Sequence, residues 1–387
     1  MIKPREFNSP HVEKPLLHDH HSHPLLYAAF QSGIDLSEIQ SFQNAADNIS
    51  QLHQPGKLVV AHHWKTNQFA IDASNLDKLP PVAIFDNSLH GLKLNSAASE
   101  MLIMEFGDDV KKVSDQDWYE RNFRLVLNWF AMLGGSPKAL LQFYDHLETL
   151  GIRTAEELLL VDEMEIQWFE QAGLMDRTVF WASPDVLQQL SQQSKTLVHG
   201  TKLFTDGAFG SCTAAISIPY VGQTDNRGML LYQDDQLRST IEQCAKLKRA
   251  IAIHAIGDVA IEQTISALES LNAKEKFDTI RIEHAQLINT QQAIRAKDMG
   301  VTLSMQPNFN SDSAAYADRL PIQFLQSNNP FRMLIDEVGF EPGVDLIFGS
   351  DGMPHGIEHA WHEVNAPPFE VQQMKHQELI NGYTLQS

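Results

Sequence analysis

The chain has 387 residues, 43% of them hydrophobic, enough for one large barrel or two ordinary domains with a full core. Its 29 basic and 49 acidic residues leave a formal charge of −20, which repels phosphate backbones and anionic membranes and argues against a nucleic-acid or membrane partner. Cys212 and Cys244 make no disulfide framework. Residues 1–15 hold no apolar core of a signal peptide and no apolar run approaches about 18 residues, so a soluble cytoplasmic protein is the expectation.

The first predicted strand starts at Leu16, in "LLHDHHSHPLLYAAF", where His18, Asp19, His20, His21 and His23 crowd into six positions. Strand alternation sets His21 and His23 on one face, together with Asp19 and Leu17. Two imidazoles on one face of a strand end can grip a metal ion, although HxH by itself is a weak motif and a solvated or chance cluster remains open. Residues 24–150 read as an elaboration between this strand and the rest. Within it "KLVVAHHW" (57–64) and "PPVAIFDN" (80–87) are strand-like, and "NSAASEMLIMEF" and "YERNFRLVLNWFAML" are helical.

From residue 175 the pattern is regular. "MDRTVFWASP" (175–184) and "HGTKLFTDG" (199–207) are strands, and a helix follows with Leu237, Ile241 and Cys244 at helical spacing. "AIAIHAIGD" (250–258) is a strand with a helix behind it, and "TIRIEHAQ" (279–286) is the next strand. A helix opened by Asn289 or Thr290 and stopped by Gly300 precedes the last two strands, "VTLSMQP" (301–307) and "VDLIFGSDG" (344–352). Strand, loop and helix repeated at this spacing mean parallel strands with crossover helices. His21, His23, Lys202, His254, His284 and Asp351 each fall at or near the C-terminal end of a predicted strand. In a TIM-like (β/α)8 barrel those ends converge on one mouth, where such folds build their sites.

The motifs "KLFTDGAFGSCTAA", "IAIHAIGDVAIEQTISALE", "RIEHAQ", "TLSMQPNF" and "FGSDGMP" resemble the amidohydrolase superfamily, in the branch that includes N-substituted formamide deformylases. "GKLVVAHHW", "PPVAIFDNSLHGLKLNSAA" and "LETLGIRTAEELLLVDE" resemble, in order, that branch's long insertion and second strand. The resemblance implies a single barrel over 1–387 with a long insertion after the first strand, residues 24–150 capping the C-terminal mouth. It also implies a short member without the small β-sandwich that relatives carry. Where the branch often has GSRT, this chain has Gly210, Ser211, Cys212 and Thr213, so an arginine contact is absent and substrate preference is expected to differ.

Carried over by resemblance, His21, His23, His254 and His284 match metal ligands, and Lys202 matches a lysine that relatives carboxylate to bridge two ions. Asp351 matches the carboxylate that touches metal and takes the proton of the hydrolytic water. A lysine paired to Asp206 or Asp351 is the alternative for Lys202. Zinc suits such ligands, as one or two divalent ions, with iron, manganese or nickel also acceptable. His90, Asp206, Phe209 and Met305 are candidate substrate contacts; His62 and His63, and His355 and His359, are either pocket-facing or surface residues. The implied activity is hydrolysis of a C–N bond, in an amide, N-formyl or cyclic amide compound, by metal-activated water acting on a small-molecule substrate. An inactive metal-binding or interaction relative and a mononuclear deaminase are the alternatives, and association into a homo-oligomer is left open.

Overall fold

The computed structural model describes residues 17–65, 68–86, 89–352 and 354–384. Among the described residues twelve strands run in chain order as β1 Leu17–Ser22, β2 Ile34–Asp35, β3 Val59–Trp64, β4 Val82–Asp86, β5 Leu92–Leu94, β6 Ile152–Glu157, β7 Thr178–Ala182, β8 Val198–Phe204, β9 Ala250–Ala255, β10 Thr279–His284, β11 Thr302–Met305 and β12 Leu346–Phe348. Eight of them form one sheet in the order β1-β6-β7-β8-β9-β10-β11-β12, parallel at every pairing. The expected TIM-like α/β barrel is therefore the fold. Its edges meet where the Asp351 amide donates to the His21 carbonyl at 2.7 Å and the Ser350 amide to Asp19 Oδ1 at 2.9 Å. Gly349 is required at this seam, because a Cβ there would overlap the His21 backbone nitrogen.

Alternation along the barrel strands divides the chain into two faces. Ile251 and Ile253 of β9 and Ile280 and Ile282 of β10 join the large core between sheet and helices, while Trp181, Ala250 and Ala252 form a small cluster inside the barrel. Most of the barrel interior is instead polar. Arg281 reaches Glu156 through Nη1 at 2.6 Å and Glu283 through Nε at 2.8 Å, with its guanidinium 4.9 Å from the Trp181 ring. Trp181 Nε1 donates to Glu156 at 2.5 Å, and Gly200 leaves room for the indole that a Cβ would overlap.

The strands predicted over 57–64 and 80–87 form, but outside the barrel. They become β3 and β4 of a second sheet ordered β2-β3-β4-β5, parallel except for the β4–β5 hairpin, with a separate apolar core that includes Ile34, Leu36, Ile49, Val59, Ile84 and Trp64. The helical stretch predicted near 119–133 is two helices, Gln116–Arg121 and Phe123–Gly134, parted at Asn122. Among the described residues no helix is long and apolar enough to cross a membrane.

Alternation is also broken inside the barrel. A register irregularity between Asp19 and Ser22 separates Asp19 from the imidazoles that a regular strand would put beside it. Asp19 turns to the seam and accepts from Ser350, whereas His18 and His20 both reach Glu156 Oε1, at 3.1 and 3.0 Å, and His21 reaches Glu283 at 2.6 Å. All of these imidazoles thereby meet the network centred on Arg281. Replacing Arg281 with alanine leaves Glu156 and Glu283 buried without a cation, so a stability loss of about 3–5 kcal/mol is expected in urea denaturation followed by tryptophan fluorescence. A loss below about 1 kcal/mol would show that water, not Arg281, neutralises the two carboxylates.

Candidate active site

The C-terminal strand ends open into a cavity of about 680 Å³ lined by His21, His23, His254, His284 and Asp351. Residues 24–150 supply a further part of its wall, including Asp35, His63, His90, Phe123 and His146. His21 and His23 reach the mouth because the irregularity in β1 turns both inward, and the helix Pro24–Phe30 starts at once behind them, its Leu25 amide held by Glu157 at 2.9 Å. His284 and Asp351 take left-handed backbone conformations, φ 70° and 54°, which are uncommon for residues other than glycine. Such backbone strain persists only where surrounding contacts over-determine it.

Hydrogen bonding fixes which imidazole nitrogens are free. Glu283 accepts from His21 Nδ1 at 2.6 Å, Gln306 Oε1 accepts from His284 Nδ1 at 2.6 Å, and the Gly207 carbonyl accepts from His254 Nε2 at 3.1 Å. Each neutral ring thus carries its proton on the hydrogen-bonded nitrogen and keeps the other one bare, the form in which histidine binds a cation. His21 Nε2 lies 3.4 Å and His23 Nε2 3.1 Å from Asp351 Oδ1, and potential ligand atoms of these three residues all lie within 4.8 Å of one another. The His284 ring adjoins those of His21 and His254, with centroids 4.7 and 4.5 Å away. A bare imidazole nitrogen against a carboxylate oxygen is repulsive unless a cation or proton stands between them, so this donor set fits a divalent metal.

Lys202 sits on the fourth barrel strand, is 2% exposed, and has no hydrogen-bond partner for Nζ. Neither Asp206 nor Asp351 pairs with it, so the alternative salt bridge is not formed. Asp206 Oδ1 instead accepts from the Ile256 amide and Oδ2 from the Gly257 and Ala215 amides. Burial pushes the Lys202 ammonium down to about 8, against the Glu283 and Asp351 carboxylates. Burial by itself would raise Asp351, but His21, His23 and His284 beside it hold its carboxyl well below the usual range. Burial opposes charge on His23 as well, yet Asp351 and Glu157 raise it to about 9. His21 goes the other way, lowered to about 4 by burial and by Lys202.

The remaining candidates separate. His90 and Phe209 line the cavity; His90 Nδ1 bonds Glu120 at 2.7 Å and its ring stacks on Phe123 at 4.0 Å. His355 and His359 line it too. Lys202, Asp206 and His90 line an adjoining cavity of about 310 Å³. Met305 is fully buried in the core between sheet and helices and is not on the cavity wall, because its neighbour Ser304 takes the inward position and bonds Arg281. Glu283, Gln306, Glu156 and Arg281, which orient the histidines, escaped the sequence reading. Their signal was present: Arg281 and Glu283 alternate with isoleucines on a parallel strand whose helix-facing side must be apolar.

The fold is a (β/α)8 barrel with its cavity at the C-terminal mouth, and the chain belongs to the amidohydrolase family, whose sequence profile matches residues 139–366. It is a hydrolase. YtcJ of Bacillus subtilis (strain 168) is 25% identical over 414 residues, covering 95% of this chain and 77% of YtcJ. The N-substituted formamide deformylase of Arthrobacter pascens is 29% identical over 126 residues, 32% of this chain and 23% of that protein. Among solved structures, an uncharacterized metal-dependent hydrolase from Pyrococcus furiosus superposes with a TM-score of 0.70 at 21% identity, covering 95% of this chain and 80% of that one. A second, from Pyrococcus horikoshii OT3, gives 0.68 at 20% identity, with 95% and 79% covered.

If Glu283 fixes the His21 proton, Glu283→Gln should weaken metal binding about 10–100-fold, measured by competition with a chromophoric chelator, with the barrel intact by circular dichroism. Wild-type affinity in a folded Glu283→Gln protein would remove Glu283 from the site.

Proposed function

We propose that this protein hydrolyses a C–N bond of a small molecule, in an amide, N-formyl or cyclic amide group, with one or two divalent ions held by His21, His23, His254, His284 and Asp351. The observation that carries the reading is the hydrogen bonding of His21, His254 and His284, each ring held by an acceptor at one nitrogen, which leaves the other for a cation. Zinc suits such a set of imidazole and carboxylate donors. A bound ion there supplies a Lewis acid that lowers the pKa of water and polarises a carbonyl.

The chain's own groups do the rest. Asp351, ionised between the histidines, is the acceptor for the proton of the attacking water and the donor to the departing nitrogen. Its backbone is held by the Tyr27 hydroxyl, which donates to the Asp351 carbonyl at 2.5 Å, so the carboxylate is presented in one orientation. The segment 24–150 walls the cavity and limits water around the reacting bond. Lys202, buried and unpartnered, has the depressed pKa that carboxylation by CO₂ needs, since only the neutral amine reacts; the carbamate would then serve as a further anionic ligand. A cavity of about 680 Å³ accommodates a small molecule rather than a folded partner.

The substrate class is tested by presenting metal-loaded protein with N-formyl amines, N-acyl amines, hydantoins and aminopurines. Turnover confined to aminopurines would replace the reading with a deaminase. On the first substrate found, Asp351→Asn should lower kcat by about 10²–10⁴ or more while KM moves far less. Near wild-type kcat in a fully metallated Asp351→Asn protein would assign the base elsewhere. Lys202→Ala should lower metal occupancy, and a short carboxylic acid in solution should restore part of it. Full occupancy in Lys202→Ala without added acid would exclude the carbamate.

A further inference from the structure

The insertion carries a histidine pair that the barrel site does not use. We propose that Asp35, His62 and His63 form a second divalent transition-metal site at the rim of the cavity, separate from the centre at the barrel mouth.

Consecutive residues of a regular strand point to opposite faces, so His62 and His63 of β3 should face apart. They do not. The β3–β4 register slips between Ala61 and Trp64, and His63 adopts a left-handed backbone with φ 59°, which is uncommon for histidine. The two rings converge until their Nδ1 atoms lie 3.3 Å apart, and Asp35 Oδ1, from the neighbouring strand β2, lies 3.1 Å from His63 Nδ1. Donors on a tetrahedral ion with bonds of about 2.0–2.1 Å lie about 3.3–3.4 Å from each other, so these spacings are close to the edges of such a polyhedron.

Two imidazole nitrogens that face one another can share at most one proton, and that proton cannot serve His62 and Asp35 equally well. A cation would satisfy all three donors at once. The His62 ring is held in place for this: it stacks on Phe30 at 5.4 Å with planes 5° apart. Burial also keeps His62 neutral at ordinary pH. Glu38 and Glu363 line the same cavity and favour a cation, with Lys65 the opposing charge on that wall. On the same cavity wall both ring nitrogens of His355 are buried without a hydrogen-bond partner. Asp35 is half exposed, so a remaining coordination position opens to the cavity, where a donor atom of an incoming molecule could occupy it.

The test uses the full, tag-free chain, stripped with chelator and titrated with Co²⁺ by absorption and with Zn²⁺ by equilibrium dialysis. The combined His62→Ala and His63→Ala protein should bind one ion fewer than wild type, and Asp35→Asn should bind that ion at least tenfold more weakly. The combined His21→Ala and His23→Ala protein should retain it. Because Asp35 is half exposed, Asp35→Asn decides the matter if the histidine variant does not fold. Unchanged stoichiometry and affinity in a folded Asp35→Asn protein, or in a folded histidine variant, would overturn the site and leave a hydrogen-bonded His–His–Asp cluster.

Discussion

Arg281 is the charge on which the interior of this barrel depends. Two carboxylates, Glu156 and Glu283, are buried to within a few per cent of completely, and each would be costly alone in a medium that solvates ions poorly. One guanidinium reaches both, and it also donates to the His20 carbonyl and to Ser304, so its fork is used in several directions. The consequence extends upward. Glu283, kept ionised by Arg281, accepts a hydrogen bond from His21 Nδ1–H and so sets the tautomer of a residue at the mouth. Electrostatics on the floor of the barrel thus determine which nitrogen is offered to a cation above it.

The second organising device is the controlled failure of strand regularity. In β1 an irregularity sends Asp19 to the seam and the histidines inward; in β3 a similar slip brings His62 against His63. Left-handed backbone at His63, His284 and Asp351 belongs to the same pattern, with the chain departing from extended geometry where a side chain must be re-aimed. The regular parts hold these departures in place. Apolar residues on the helix-facing side of β9 and β10 are packed into the main core, so the strands cannot shift to relax the strained positions at their ends.

The insertion gives the cavity its character. A plain barrel mouth is open to water, whereas here a small sheet with its own apolar core carries Asp35 and His63 to the rim, and the following helices bring His90 beside Phe123 and Glu120. The cavity wall is rich in imidazole and carboxylate and poor in cations, Lys65 being the one described lysine or arginine on it. That balance favours metal ions and substrates without strong negative charge.

Much of this was legible from the chain alone. Helix and strand periods in the second half are strong because strands buried on the helix side must be apolar there, and this located β8 to β12 and the ends that bear Lys202, His254, His284 and Asp351. HxH, a lysine within a strand and an aspartate after the last strand stood out because such groups are costly in a barrel unless they serve a site. What sequence alone could not decide was every feature that depends on an extra residue in a strand or on a partner far along the chain. A one-residue slip reverses the facing of all that follows it, so Asp19 could not be separated from His21 and His23, nor His62 brought to His63, by counting. The tautomers of His21, His254 and His284 rest on Glu283, Gly207 and Gln306, and only the closed barrel sets these acceptors against the rings. Residue order specifies which donors and acceptors exist, but a proton goes to whichever acceptor lies within about 3 Å, and that distance is a property of the fold.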